Sequence, residues 1–157
     1  MTRIYSTENF NVESVEHPHV SRTDGGHLRI RPKKSVRNRW DLNPALAIEF
    51  FRLTMVVGEA MLKGLNNRGI PVERINFQDN GNWAIGTKQK PTFHLHLYGR
   101  AKNAKNQKRG QALRFPDKET KFYLNLKPLN SKDNFEIIKF IKKIFKQDKY
   151  SNKNWHL

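Results

Sequence analysis

The chain has 157 residues, 30 Lys+Arg against 14 Asp+Glu, a formal charge of +16 and no cysteine. Its length suits one ordinary domain. The missing thiols exclude disulfides and cysteine-ligated zinc and fit a cytosolic setting. The start, Met-Thr-Arg-Ile-Tyr-Ser-Thr-Glu, lacks a signal-peptide apolar core, and no apolar run reaches about 18 residues. A soluble, cytoplasmic protein with no membrane association is expected. The charge points to anionic partners, nucleotides or nucleic acid among them. A chain-wide bias toward Lys and Asn gives the same excess, so charge alone fixes no function.

Residues 1–20 show little periodicity and read as an irregular arm with a short strand. His17-Pro18-His19 lies there without flanking apolar alternation and reads as loop. Arg22-Thr23-Asp24-Gly25-Gly26 is a turn signal. His27-Leu28-Arg29-Ile30-Arg31 alternates as a strand does, and Pro32 stops it. Lys33 to Asp41 is a basic connection, with Trp40 read as a packing residue at an element end.

Asn43 suits an N-cap and Pro44 a first helical position, so a helix is predicted from about Pro44 to Asn66 or Asn67, with Gly69 just past its end. Its charged residues, Glu49, Arg52, Glu59 and Lys63, fall within one stripe of about 80°. One sheet cannot cover the apolar arc that remains. A second surface is required, and a partner subunit is the simplest one.

Val72 to Phe77 reads as a strand, and Gln78-Asp79-Asn80-Gly81-Asn82 as a tight turn. Trp83 is again read as packing, with base stacking on it or on Trp40 as the alternative. Thr92-Phe93-His94-Leu95-His96-Leu97-Tyr98 follows, with apolar residues alternating with histidines at period two. On a strand, Phe93, Leu95 and Leu97 face a core, and Thr92, His94, His96 and Tyr98 share the other face. Paired imidazoles on a sheet surface suit a phosphate or a metal. Metals favour mixed histidine and carboxylate sets, and the Thr92–Arg100 segment holds no Asp or Glu. Ala101 to Gly110 is basic, low in complexity and read as a flexible loop. Lys121 to Leu126 reads as a short strand. Ser131 or Asp133 caps a last helix to about Gln147, with Phe135, Ile138, Ile141 and Phe145 on its buried face.

Three strands thus pair an apolar face with a face of His, Arg and Asn. Adjacent in one sheet, they make an anion-binding surface that carries a titratable nucleophile. Arg29, Arg31 and Arg74 on that face read as solvated or salt-bridged.

The histidine segment resembles the His-φ-His-φ-His-φ-φ motif (φ apolar) of the histidine triad superfamily of nucleotidyl hydrolases and transferases. Gly25-Gly26-His27-Leu28-Arg29-Ile30-Arg31-Pro32-Lys33-Lys34 resembles that family's Gly-His strand ending in Pro-Lys, and Asn80-Gly81 its Asn-Gly before the triad. The matching segments run from about residue 20 to 100. The resemblance implies an α+β domain spanning 1–157, with an antiparallel sheet of about five strands, a long central helix and a C-terminal helix packed on it. It implies a homodimer and no required cofactor or metal. It implies attack by His94 on the α-phosphate of a nucleoside phosphate derivative, such as a diadenosine polyphosphate or a nucleotidyl conjugate, through a nucleotidyl-His94 intermediate. His96 is then a second catalytic residue. Asn80, His27, Thr92, Gln89, Lys88 and Arg100 are candidate substrate- or phosphate-binding residues.

Thr92 departs from the motif, since it stands where the first triad histidine belongs. The family uses that position partly through its backbone carbonyl, which Thr92 retains. Two alternatives follow. The charge suggests a hydrolase of 5′-adenylated DNA or RNA ends, and Thr92 suggests a catalytically impaired nucleotide-binding module.

Overall fold

The computed structural model describes residues 1–79, 84–117 and 119–157. Its long helix, α1 (Pro44–Asn67), has the predicted bounds. The Asn43 side chain accepts the Leu46 N–H at 2.9 Å, and Pro44 occupies the first turn. Beyond Asn67 the chain turns through Gly69 at φ +75°, a conformation that glycine adopts without steric cost.

Five antiparallel strands form one sheet in the order β1-β2-β3-β5-β4. They are β1 (Thr2–Ser6), β2 (Phe10–Ser14), β3 (His27–Pro32), β4 (Val72–Asp79) and β5 (Leu95–Ala101). One face carries Phe10, Val12, Leu28, Ile30, Leu95 and Leu97 against Phe50, Leu53, Val57 and Met61 of α1. The other face carries Glu13, His27, Arg29, His96 and Tyr98. Register puts His27 opposite Tyr98, and Arg29 opposite His96. The sheet is thus oil on the helix side and ionisable on the other, as alternation along the strands requires.

Several expectations are corrected. Residues 1–20 are not an irregular arm, because they hold both strands of the β1–β2 hairpin. Phe10 and Val12 alternate with Asn11 and Glu13, but β1 is a polar edge strand with little apolar pattern to read. The segment 121–126 is a 3₁₀ turn (Lys121–Tyr123) rather than a strand, and Leu124 is left exposed. The C-terminal helix α2 (Ser131–Phe145) is capped by Asn130 and buries Ile137, Ile141 and Ile144, with Phe135 in solvent. α2 packs on α1 and covers much of its apolar arc. The second surface that α1 demands therefore comes from its own chain, and the arc no longer argues for a partner. Phe51 is its large apolar residue left exposed.

The basic segment 101–110 is anchored rather than loose. The buried Asp24 carboxylate accepts the backbone N–H groups of Lys105, Asn106 and Gln107 at 2.8–3.0 Å. Buried Gln107 donates to the carbonyls of His19 and Arg114 and accepts the Arg114 N–H. Its lysines point to solvent while its backbone is held. Composition reports the side chains and misses the anchor. Beside it, the turn before β3 approaches β5 so closely that a Cβ on Gly99 would collide with the Gly25 carbonyl.

Asp133, with no exposed surface, joins three elements. It accepts the Asn130 N–H at 3.0 Å, and Asn130 reciprocates at the Asp133 N–H, a capping box. Arg22 grips it through two nitrogens and Arg68 reaches it at 3.4 Å. Burial alone would raise the carboxyl pKa, but the Arg22 hydrogen bonds, the cap and Arg68 together hold it below its ordinary 3.8. The stability it supplies is present above the ordinary carboxylate range and is lost as pH falls through the lowered value. Asp133→Ala should cost about 2–4 kcal/mol in urea unfolding at pH 7, and Asp133→Asn should flatten the acid limb below about pH 4.

Candidate functional site

The site forms where β3 and β5 lie side by side, at the entry to β5. His94 directly precedes that strand. Phe93 is tied by its N–H to the Val36 carbonyl at 2.9 Å, which fixes the chain path into His94. The His94 ring Nδ1 lies 2.7 Å from the Thr92 carbonyl oxygen. A carbonyl only accepts, so Nδ1 carries the proton and Nε2 of the neutral ring keeps its lone pair. The half-buried His94 is held below the ordinary histidine pKa of 6.5, burial outweighing the opposing pull of that carbonyl. At pH 7 it is therefore neutral and nucleophilic.

A second chain of hydrogen bonds fixes His96. The backbone N–H of His19 donates to Nδ1 of His27 at 3.1 Å. An amide can only donate, so Nδ1 of His27 is bare and its proton sits on Nε2. That nitrogen is 2.7 Å from Nδ1 of His96. His27 donates, and the His96 proton is consigned to Nε2. The two rings thus have opposite tautomers: His94 offers a lone pair at Nε2 and His96 an N–H. Burial, reinforced by His94, His19 and Arg29, pushes His96 down to about 2, and burial pushes His27 well below 6.5. Both are neutral in the folded protein at any ordinary pH.

The His19 ring is the residue that sequence reasoning missed. His17-Pro18-His19 is a loop, as read, but it folds back over the sheet. His19 Nδ1 is hydrogen bonded to the Tyr98 hydroxyl at 2.9 Å, and its ring packs against those of His27, His96, Phe115 and Tyr123. The lone signal was a second histidine pair in a chain with only six histidines. The contact itself joins residues some 79 positions apart in the chain.

The other predicted residues divide. Thr92 is exposed and contributes its carbonyl. His27 acts through His96, being 1% exposed. Lys88 and Gln89 are exposed, and neither lines the cavity at His94. Arg100 is not brought to the site. It sits six residues along β5, about 20 Å from His94, and donates to the carbonyls of Lys108 and Gln111 at 2.8 Å each. Its guanidinium clamps the basic loop. Asn80 and Trp83 lie outside the described residues. Arg29 and Arg31 are salt-bridged to the buried Glu13 at 2.6 and 2.7 Å, as read. Burial would raise the Glu13 pKa, but these two guanidinium groups bring it below its ordinary value.

A cavity of about 240 Å³ opens at His94, walled by Arg37, Arg39, Trp40, Ile85 and Thr92. Trp40 is no packing residue: it is 81% exposed. Among the described residues, no group of three or more His, Asp or Glu side chains is arranged to hold a metal ion.

Neither a family model nor a curated protein sequence matches the chain. Solved structures do. A histidine triad nucleotide-binding protein of Sulfolobus tokodaii aligns over 93% of this chain and 87% of its own, with TM-score 0.59 and 16% identity. A histidine triad protein of Bradyrhizobium japonicum aligns over 90% and 87%, with TM-score 0.59 and 13% identity. A zinc-bound histidine triad family protein of Mycobacterium smegmatis aligns over 90% and 84%, with TM-score 0.56 and 18% identity. The chain has the histidine triad fold. At these identities the likeness speaks for architecture: the α+β class, the five-stranded antiparallel sheet and the packed helices. Within the histidine triad fold, this chain brings together three histidines, His27, His94 and His96.

The two tautomers are directly observable. Long-range ¹H–¹⁵N spectra at pH 7 should show the proton on Nδ1 of His94 and on Nε2 of His27 and His96. The pH response has a definite sign. Below about pH 6.5 the unfolded chain protonates His27 and His96 while the folded chain excludes those protons. Stability should therefore fall on acidification, by up to about 1.4 kcal/mol per pH unit for each histidine. Urea unfolding from about pH 6.5 to about 4.5 measures this slope, and His27→Gln should remove one proton from it.

Proposed function

We propose that the protein is a cytoplasmic nucleotide hydrolase or nucleotidyl transferase acting through His94, without a required metal or cofactor. The observation that carries this reading is the bond between His94 Nδ1–H and the Thr92 carbonyl, which leaves a lone pair on Nε2 of a ring that lines a cavity. Nε2 attacks the α-phosphorus of a nucleoside phosphate derivative, and the bond from phosphorus to the leaving oxygen breaks. The adduct is an imidazolium, phosphorylated on Nε2 and protonated on Nδ1. Its positive charge is met by the Thr92 carbonyl, so a backbone atom does what the attacking ring needs. His96 Nε2–H donates to a non-bridging phosphate oxygen, where negative charge builds. Water then attacks phosphorus, its proton passes to solvent, and His94 departs as the neutral ring it began as. The Thr92 side chain has no part in these steps, which argues against the reading as an impaired module.

Incubation with radiolabelled dinucleoside polyphosphates and nucleotidyl conjugates, followed by rapid quenching, should trap a labelled protein. The label should be absent from His94→Ala. The rate should fall on the acid side with an apparent pKa below 6.5, because protonation removes the lone pair. A wild-type protein that never labels, or an alanine variant that labels equally, overturns this reading.

A homodimer belongs to the same proposal. The edge strand β4, with Phe77 46% exposed, is the surface where a second copy would add, and sedimentation at twice the 18.5 kDa chain mass is the check. A second reading, action on nucleic-acid 5′ ends, is favoured by where the cations lie. Lys33, Lys34, Arg37, Arg39, Lys88 and Lys90 are all exposed on the two segments that flank the cavity mouth. It predicts duplex binding whose logarithmic affinity falls by about 0.9 per decade of salt for each phosphate contacted. Salt-independent or absent binding removes it.

A further inference from the structure

We propose that Trp40 is a stacking platform for the nucleobase of a substrate whose phosphate lies at His94, with Arg37 as the cation over the cavity between them. This deepens the reading of His94 as a nucleotidyl acceptor and rests on it.

Four observations carry it. First, Trp40 is exposed yet fixed. It sits in a 3₁₀ turn (Arg39–Asp41) tied at both ends: the Asp41 carboxylate accepts the Asn38 N–H at 2.8 Å, and the Asp41 N–H donates to the Asn38 carbonyl at 3.2 Å. An indole that packs against little is costly to leave in water on so rigid a mount. Second, the mount is registered to the nucleophile. The Val36–Phe93 hydrogen bond ties the segment leading to Trp40 to the residue beside His94. Third, the two arginines differ. Arg39 is spent on Asp79 at 2.8 Å and lies 6.0 Å from the ring centres of both Phe50 and Phe93, so it builds the wall. Arg37 is exposed and makes no ion pair with any described residue. Fourth, the opposite approach is shut. His27 and Tyr98 are 1% and 0% exposed beneath the His19, Phe115 and Tyr123 rings. With that side closed, the cavity that His94 shares with Trp40 offers a flat ring an aromatic face, and Ile85, 71% exposed on the same cavity, supplies a further apolar surface.

The test compares AMP with ribose 5-phosphate, which keeps the phosphate and sugar and lacks the base. Calorimetric titration of the full chain should show Trp40→Ala weakening AMP by at least about 5-fold and Trp40→Phe by less than about 3-fold, since any aromatic face stacks. Ribose 5-phosphate should bind all three proteins equally. Equal weakening of both ligands, no weakening of AMP, or wild-type protein that binds neither ligand overturns the proposal. So does a change in sedimentation of Trp40→Ala with AMP affinity intact, which would make Trp40 a contact between chains. Nucleotidyl transfer is read separately, by adduct trapping on the wild type. Loss of AMP binding in Trp40→Ala with no adduct in the wild type keeps the platform and removes the transfer.

Discussion

A backbone amide can only donate a hydrogen bond, and that asymmetry orders this site. The His19 N–H meets Nδ1 of His27, so the proton of each following ring has one place to go. The Thr92 carbonyl imposes the opposite polarity on His94. Two imidazoles whose ring centres are 4.8 Å apart therefore present unlike atoms, and neither is left to choose. Charge would undo this. A proton added to His27 would set two donors against each other, so the burial that keeps these rings neutral and the bonds that orient them support the same state.

The burial comes from pieces remote in sequence. β2 brings Glu13, which neutralises Arg29 and Arg31 and keeps the sheet face from filling with unpaired cations. Asp24 and Gln107 hold the 101–116 segment and the carbonyl of His19 in one network. Arg22 and Arg68 meet on Asp133, coupling the turn before β3 to the helical layer. Each anchor is a buried acceptor or amide with its partners supplied, the condition under which polar groups are tolerated inside.

Much of the architecture was legible because it depends on local rules. Asn43-Pro44 and the apolar arc define α1, and period-two alternation defines β3, β4 and the histidine strand. Their common polar face follows from parity alone, which is how His27, His94 and His96 could be placed together. What stayed hidden depends on distance in the chain. β1 carries no clear alternation because it is a solvated edge. The 121–126 segment alternates as a strand does but packs as a turn over the sheet. His19 and Trp40 had local readings, loop and packing residue, that were reasonable for their neighbours. Only the fold puts one under Tyr123 and the other at the mouth of a cavity. Arg100 fails for the same reason in reverse: it sits on the correct face of the correct strand, too far along it.

The Thr92 carbonyl has a consequence for how such a site is written into a gene. A main-chain oxygen is present whichever amino acid is encoded, and what aims it is the path of the chain through Pro91, Thr92 and Phe93. As far as this hydrogen bond is concerned the side chain at position 92 is free to vary, while the chain path through its neighbours is not. A pattern search compares letters, and a backbone acceptor has none. The Thr92 oxygen can accept the same hydrogen bond whatever side chain stands beside it.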